Sequence, residues 1–137
     1  MDRYVFPAIF ESDNSGGYTV TFPDLKGCIT EGDDLQESLY MAKDALELFI
    51  YSLEEDNNII PMPTTPEKIK VPKNAFVNLI EVYMPPIRDE MANKSMNKTL
   101  TLPRWLNDAA EKAKINFSQV LQTALKQQLG IIKQDKK

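Results

Sequence analysis

The stretch GYTVTFPDLKGCITEGDDLQESL, residues 17–39, contains two predicted strands, the turn between them and the start of a helix. Residues 18–22 alternate an aromatic or β-branched residue with threonine, a period of two that is typical of a half-buried strand. Residues 23–27 predict a turn, and residues 28–30 predict a short further strand. Asp33 is predicted to be the N-cap of the helix, because the residue three positions later, Gln36, would complete a capping box.

A further strand is predicted on the N-terminal side of this stretch. Residues 4–10, YVFPAIF, are apolar throughout, which is typical of a strand covered on both faces. Pro7 predicts an edge or a bulge there, because proline cannot donate a hydrogen bond to a neighbouring strand. The turn residues 12–17 then join this strand to residues 18–22 as a hairpin.

A long helix and a last strand are predicted on the C-terminal side. The helix is indicated by apolar residues that recur every three or four positions over about five turns: Leu35, Leu39, Ala42, Leu46, Phe49, Ile50 and Leu53. Four prolines between residues 59 and 74 predict an extended loop, and residues 75–83 predict a fourth strand. The first 84 residues therefore predict a β-β-β-α-β module, a small sheet with one helix packed on it.

The end of the chain predicts a strand followed by two helices. In residues 97–102 leucine alternates with polar residues, which indicates a strand, and Pro103 can begin a helix over residues 104–114. Asn116 is a predicted N-cap for a second helix, and Gly130 fits its C-terminal cap. Strand, helix and helix in about 35 residues is the pattern of a ribbon-helix-helix protein.

Such a small unit rarely buries enough apolar surface to fold alone. Two copies are therefore expected to pair their strands into an antiparallel ribbon and to intertwine four helices, which also removes the exposed strand edge. The predicted dimer core consists of Leu100, Leu102, Trp105, Leu106, Val120, Leu121 and Ala124.

A two-stranded ribbon fits the major groove of DNA, and its outward side chains can contact bases. The predicted base contacts are Asn97, Thr99 and Thr101. Basic side chains and the N-terminus of the second helix can hold phosphates, so the predicted phosphate contacts are Lys94, Lys98, Arg104, Asn116, Phe117 and Ser118. The alternative is a plain dimerisation unit with no role on DNA.

The whole chain is thus predicted to belong to the α+β class, with two modules joined by a polar, flexible linker. The predicted limits are 1–84 for the sheet module, 85–96 for the linker and 97–132 for the ribbon-helix-helix.

The sign of the net charge changes at the boundary between the sheet module and the rest of the chain. The net charge of −4 is the sum of −9 over residues 1–84, with 6 basic and 15 acidic residues, and +5 over residues 85–137, with 10 basic and 5 acidic residues. An acidic module attracts basic surfaces, whereas a basic one can accept a phosphate backbone. The sign of the net charge is equally consistent with charged side chains that only face solvent in both modules.

Several classes of function are excluded by composition. The 137 residues include no histidine and one cysteine, Cys28, which excludes a catalytic triad, a histidine general base and a cysteine-cluster zinc site. We expect no cofactor, no metal and no catalytic residue. The N-terminus has neither the basic start nor the apolar core of a signal peptide, and no apolar run approaches membrane-spanning length, so we expect a cytoplasmic protein.

Residues 17–39, with Ala42, Ala45 and Leu46 after them, resemble the HicB antitoxin family. The shared motifs are Gly-Tyr before a strand, Phe-Pro-Asp-Leu, Gly-Cys, and a Gly-Asp helix start followed by Ala-Leu. The resemblance covers about residues 4–83, and a C-terminal ribbon-helix-helix is one of the tails that this family carries.

This resemblance implies a degenerate ribonuclease-H-like sheet without nuclease activity. It implies a partner, a HicA-type toxin, which is a small basic ribonuclease whose active site the antitoxin blocks. It further implies that the tail represses the antitoxin's own operon by binding operator DNA, and that a homodimer, or a tetramer, forms.

Six carboxylates are candidates for contacting the toxin by mimicking phosphates: Glu11, Asp13, Asp24, Glu31, Asp33 and Asp34. Alternatively, these residues only cap the helix, shape turns or face solvent. A metal-dependent nuclease is disfavoured, because the first strand carries no carboxylate in its middle. The remaining alternative is a freestanding ribbon-helix-helix repressor whose acidic domain senses a small ligand.

Overall fold

The structure, a computed structural model, describes residues 1–131. The last residue of the predicted ribbon-helix-helix, residue 132, lies outside that range. The elements in chain order are β1 (Arg3–Ser12), β2 (Tyr18–Thr21), β3 (Ile29–Gly32), α1 (Leu35–Glu55), a 3₁₀ turn (Pro66–Lys68), β4 (Ala75–Tyr83), α2 (Met84–Asn93), α3 (Arg104–Lys112) and α4 (Phe117–Gln128). The chain divides into two compact units, with the boundary between Ser95 and Met96. We call them unit 1 and unit 2.

Unit 1 contains one antiparallel sheet in the order β3-β2-β1-β4. β1 pairs with β4 along nearly its whole length, from Arg3 opposite Tyr83 to Glu11 opposite Ala75. The predicted β-β-β-α-β order and the mixed α and β class are confirmed.

Pro7 lies in a central strand without a bulge, and the expectation of an edge at this position is confirmed on the side of β1 that faces β2. β2 ends at Thr21, which pairs with Ile9, so the chain beyond the end of β2 offers no strand opposite Pro7. Pro7 therefore lies where the β2 side of β1 is locally an edge, and its missing N–H leaves no strand partner unpaired.

The core of unit 1 lies between the sheet and α1. The even-numbered residues of β1 are buried, from Tyr4 to Phe10, because alternate strand residues point to the same face. They pack with Ala42, Leu46 and Ile50 of α1. Burying a phenylalanine of this kind contributes about 1.5–3 kcal/mol, so Phe6 and Phe10 are major sources of stability.

α1 is capped by Asp34, one residue later than predicted, and the prediction of Asp33 as N-cap is wrong. The Asp34 carboxylate accepts from Glu37 N at 2.7 Å, and Glu37 Oε1 accepts from Asp33 N at 3.1 Å. The pair resembles a capping box, except that Glu37 accepts from the residue before the N-cap and not from the N-cap itself. Gly32 allows the end of β3 to approach the first turn of α1 closely, because a Cβ there would lie 2.4 Å from Ser38 N.

The buried stripe of α1 is also narrower than the sequence predicts. Ser38, Ala42, Leu46 and Ile50 are its buried residues, at intervals of four. Leu35 and Leu39 were expected on the stripe but are 54% and 46% exposed. They lie beside it, on a flank of the helix that the described residues leave open.

The predicted flexible linker, 85–96, is wrong for most of its length, because residues 84–93 form α2. α2 follows β4 directly and packs on α1, with Met84 buried. Arg88 holds it there. Its guanidinium donates to both carboxylate oxygens of Glu54, at 2.6 and 3.1 Å, to Asp2 Oδ1 at 2.6 Å and to the Met1 carbonyl at 2.7 Å. The buried Met84 and the ion pairs of Arg88 stabilise a helix in a segment whose polar sequence suggested a loop.

Unit 2 contains α3 and α4, which agree with the predicted helices to within about two residues. Asn116 caps α4 by accepting from Gln119 N at 3.0 Å, and Gly130 has the positive φ of 74° that a helix C-terminus uses, so both caps are confirmed. Residues 94–103 form neither helix nor strand, so the predicted strand over 97–102 is absent from the single chain. A strand needs a hydrogen-bonded neighbour, and the described part of unit 2 offers none.

Candidate functional site

Unit 1 presents carboxylates at the end of the sheet where the β1–β2 turn and the start of α1 meet. Within the turn, Asp13 accepts from Ser15 N, Ser15 Oγ and Gly17 N at 2.9, 2.7 and 3.1 Å. The hydrogen bonds from Ser15, with a smaller contribution from Gly17, lower the pKa of the Asp13 carboxyl and keep it ionised. Asp13 therefore shapes the turn and still displays a negative charge.

Glu11, Glu31 and Asp33 are exposed carboxylates, and none accepts a hydrogen bond from the described residues. Glu11 pairs with Thr19, which pairs with Glu31, so both glutamates lie in one row on the sheet face opposite α1. Two strand spacings separate them by about 10 Å. They can contact one partner together.

Asp24 has an internal role. Its carboxylate accepts from Thr64 N at 2.9 Å and from Thr64 Oγ1, which pins the proline-rich loop to the turn between β2 and β3. Asp34 is likewise used as the helix cap. Of the six candidates for toxin contact, Glu11, Glu31 and Asp33 thus keep carboxylates that are free for a partner.

The sheet face opposite α1 also carries exposed apolar side chains. Val5, Ile29, Leu79 and Tyr83 are all at least 40% exposed on it. Within unit 1, α1 packs on the sheet, α2 packs on α1, and the 3₁₀ turn lies near β4. Sequence patterning missed this face, because alternation alone does not tell which apolar strand residues are covered.

Unit 2 has no buried residue among its described residues, 96–131. Its apolar side chains are exposed, with Leu100 at 53%, Trp105 at 72% and Val120 at 55%. The predicted core residues Leu102, Leu106 and Ala124 are also exposed, and Leu121 is half-buried. In the single chain these side chains face solvent and do not form a core.

The polar residues predicted to face DNA are exposed as well: Asn97, Thr99, Thr101, Lys94, Lys98 and Arg104. At the start of α4, the Asn116 side chain is occupied by its cap hydrogen bond. The backbone N–H groups of Phe117 and Ser118 have no acceptor in the described part of the chain, as expected for the first turn of a helix. They remain available to an anion.

Two further classes of site find no support within residues 1–131. No three His, Cys, Asp or Glu side chains converge there as metal ligands would. No helix in the same range is long and apolar enough to cross a membrane. Cys28 is buried, and burial raises the pKa of its thiol to about 11.

A family model described as the HicB-like antitoxin of bacterial toxin-antitoxin systems matches residues 6–125. Antitoxin HicB 1 of Photorhabdus laumondii is 43% identical over 58 residues, which are 42% of this chain and 37% of that protein. Antitoxin HicB of Escherichia coli K12 is 34% identical over 77 residues, 56% of this chain and 51% of that protein. The matched region is thus less than two thirds of either relative.

A solved structure described as a toxin-antitoxin complex from Streptococcus pneumoniae contains a chain with a similar fold. The TM-score is 0.59 at 23% sequence identity, and the match covers 92% of this chain and 99% of that chain. The likeness of fold extends over both units.

Proposed function

Because the chain belongs to the HicB-like antitoxin family, we propose that its unit 1 binds and neutralises a HicA-type ribonuclease toxin and that its unit 2 represses its own operon by binding operator DNA. Residues 1–84 would bind the toxin, and residues 97–132 would dimerise and bind DNA. The protein would act by occlusion, without a catalytic step or cofactor of its own.

Toxin binding is supported by the charge of unit 1 and by its free carboxylates. Residues 1–84 carry a net charge of −9, and Glu11, Glu31 and Asp33 are exposed without internal partners. A toxin that binds RNA must present a positive surface, and opposite potentials accelerate association and favour the correct partner. Ile29 is exposed two residues before Glu31 on the same sheet face, and it would supply part of the desolvated centre of the interface.

DNA binding is supported by the exposed apolar side of unit 2. A second copy would bury Leu100 and Leu102 in a two-stranded ribbon and would cover Val120 of α4. The ribbon would then present Thr99 to the major groove. The N-terminus of α4, with its free N–H groups, would hold a phosphate. The degenerate ribonuclease-H-like ancestry of unit 1 remains a prediction of the resemblance.

The single observation that carries this proposal is the opposite charge of the two units, −9 and +5, in a chain of this family. The test is a pull-down of the tagged full chain from its host, with mass spectrometry and an RNA-cleavage assay of what co-purifies. We expect a stoichiometric small basic protein that cleaves RNA once separated. Recovery of DNA without such a protein would contradict the antitoxin function and favour the ligand-sensing repressor.

The proposed toxin-binding surface, with Glu11, Glu31 and Asp33, is tested by two triple variants that change the net charge by the same amount. Neutralising Glu11, Glu31 and Asp33 to the corresponding amides should weaken toxin binding. The control neutralises Glu55 and Asp56 at the end of α1 and Glu90 of α2, which are exposed on the helical side of unit 1. Equal loss in both variants would show that total charge, rather than this surface, drives binding.

A further inference from the structure

α2 is a helix that its own sequence stabilises poorly. It has 10 residues, and its N-cap, Tyr83, makes no side-chain hydrogen bond to the first turn. The first turn contains no acidic residue and the last turn no basic residue, so the charges that would complement the helix dipole are missing. A helix of this length is marginal in water even with a favourable sequence. We therefore expect α2 to unfold when it is separated from the rest of unit 1.

Contacts with the rest of unit 1 hold α2 in its helical form. Met84 is buried, and Ile87 is half-buried against the core. The Arg88 guanidinium binds Glu54 near the end of α1 and Asp2 at the start of β1. The hold on α2 is thus concentrated in its first five residues. We call Ile87, Arg88, Glu54 and Asp2 the latch.

The latch is weak. The side chains of Arg88 and Asp2 are 33% and 58% exposed, so water and salt screen their ion pair. Beyond the latch, residues 89–93 include no buried residue. Burial raises the pKa of the Glu47 carboxyl of α1, and the like charge of Glu90 on α2 adds to the rise, so this contact opposes docking. Because docking stabilises the helix, release and unfolding of α2 are expected to be one event.

The state of α2 determines how much loose chain joins the two units. With α2 docked, only residues 94–96 separate its end from the predicted ribbon, which begins at residue 97. That connection can span at most about 14 Å. With α2 unfolded, residues 85–96 join the core of unit 1 to the ribbon and can span up to about 45 Å. Docking of α2 therefore shortens the tether about three-fold.

The length of the tether matters because unit 1 is acidic. Residues 1–84 carry a net charge of −9, and DNA is a dense line of negative charge. At physiological salt, charges repel each other strongly only within about 8–10 Å. Repulsion between unit 1 and DNA is therefore expected to be larger with a short tether than with a long one.

We propose that α2 is a conditional spacer that sets the affinity of the protein for its operator. Docked, it keeps the acidic unit 1 on a short tether and weakens DNA binding. Unfolded, it lets unit 1 move away from the phosphates and strengthens DNA binding. This inference rests on the proposed DNA binding by unit 2. Because coupling between two equilibria is reciprocal, DNA must in turn favour the unfolded state of α2.

Hydrogen exchange of the full chain tests the two states of α2. Arg88→Ala and Ile87→Ala each remove one part of the latch. The matched controls are Arg3→Ala, which removes an exposed pair on the sheet, and Ile59→Ala, at a side chain that is 91% exposed. We expect the amides of α2 to exchange at least about three-fold faster in both latch variants than in their controls, with α1 unchanged. Unchanged exchange of α2, or an equal rise in α1, would overturn the latch.

Operator binding tests the consequence for DNA. The probe is a double-stranded fragment from upstream of the gene for this chain, titrated with the full chain at low salt in mobility shifts. Each latch variant should bind about two- to five-fold more tightly than its control, which has the same net charge. The difference should shrink as salt is added, because salt screens the repulsion. Equal affinities of a latch variant and its control would overturn the role of α2 on DNA.

Failure of the proposed function gives a different result. A wild type that does not bind the fragment would contradict DNA binding by unit 2 and, with it, the role of α2 on DNA. Exchange of α2 is measured without DNA and would still decide whether the latch exists. Where the fragment does bind, adding it should accelerate the exchange of α2. Slower exchange of α2 on DNA would mean that the operator selects the docked helix, against the proposal.

Discussion

Unit 1 and unit 2 differ in where their apolar side chains lie. Every buried residue described belongs to unit 1, and its buried hydrophobic residues, from Tyr4 to Met84, form one cluster. Unit 2 has helices with well-formed caps but exposes Leu100, Trp105 and Val120. Local hydrogen bonds are thus enough to define helices, but a core needs more chain than unit 2 contains. Unit 1 is expected to fold alone, and unit 2 only with a second copy.

The aromatic residues of the chain provide a separate spectroscopic probe of folding for each unit. Its single tryptophan, Trp105, lies in unit 2, and all five tyrosines lie in unit 1. Unfolding followed by tyrosine signals therefore reports on unit 1, and unfolding followed by tryptophan reports on unit 2.

The largest effect is expected from Leu100→Asp, which would bury a charge in the ribbon of unit 2. The variant should lose the proposed dimer of unit 2 and, because unit 2 is expected to fold only as a dimer, also its cooperative tryptophan transition. Thr99→Asp adds the same charge on the opposite side of the ribbon and should keep the dimer while losing DNA binding. An unchanged tryptophan transition in Leu100→Asp would remove the reason for placing Leu100 in a core.

Phe6→Ala should destabilise unit 1 by about 3–5 kcal/mol, because Phe6 is 1% exposed and its loss leaves a cavity. Urea denaturation should show this as an earlier tyrosine transition. The tryptophan transition should stay in place, because unit 2 contributes nothing to this core. A joint shift of both transitions would mean that the two units unfold together.

Thr99→Ala and Thr101→Ala should each weaken specific operator binding by about 1–3 kcal/mol, the cost of a lost base contact. Electrophoretic mobility shifts at fixed salt would measure this. Toxin inhibition should be unchanged, since that activity is assigned to unit 1. Thr65→Ala is the matched control, because the Thr65 side chain makes no cap hydrogen bond; loss of both activities in the ribbon variants would contradict the division of labour.

Arg88→Ala should cost unit 1 about 1 kcal/mol, more than an ordinary surface pair, because the Arg88 guanidinium binds Glu54 through two hydrogen bonds and also binds Asp2. Arg3→Ala removes a single exposed pair with Glu81 and should cost less. The tyrosine transition measures both. Equal shifts would indicate that the contacts of Arg88 do not fasten α2 to α1.

The local elements of unit 1 were predictable because strand alternation and the helical repeat act over a few residues. The helix cap was misplaced by one residue, because Asp33 and Asp34 both fit the pattern and only the structure shows that Asp34 is the cap. Helix α2 was missed because its contacts come from residues distant in sequence. Nothing in the spacing of Arg88 relates it to Glu54 or Asp2.

The candidate site was less predictable for the same reason. Six acidic residues suggested one surface, but Asp24 is engaged by Thr64, which is distant in the chain, and Asp34 is engaged by the helix it caps. The free edge of β4 follows from the strand order, which sequence periodicity does not contain. The helices and caps of unit 2 were predicted well, because they depend on neighbouring residues alone.

The pairing of β1 with β4 has a consequence for synthesis on the ribosome. Arg3 pairs with Tyr83, so the first strand to emerge must wait for almost all of unit 1 before its second neighbour exists. Contacts between such distant residues slow folding and leave intermediates with open strand edges. A nascent chain that ends before residue 83 lacks part of β4 and cannot complete its pairing with β1. The newly made protein is therefore expected to be most vulnerable to proteases during that interval, before the pairing of β1 with β4 is complete.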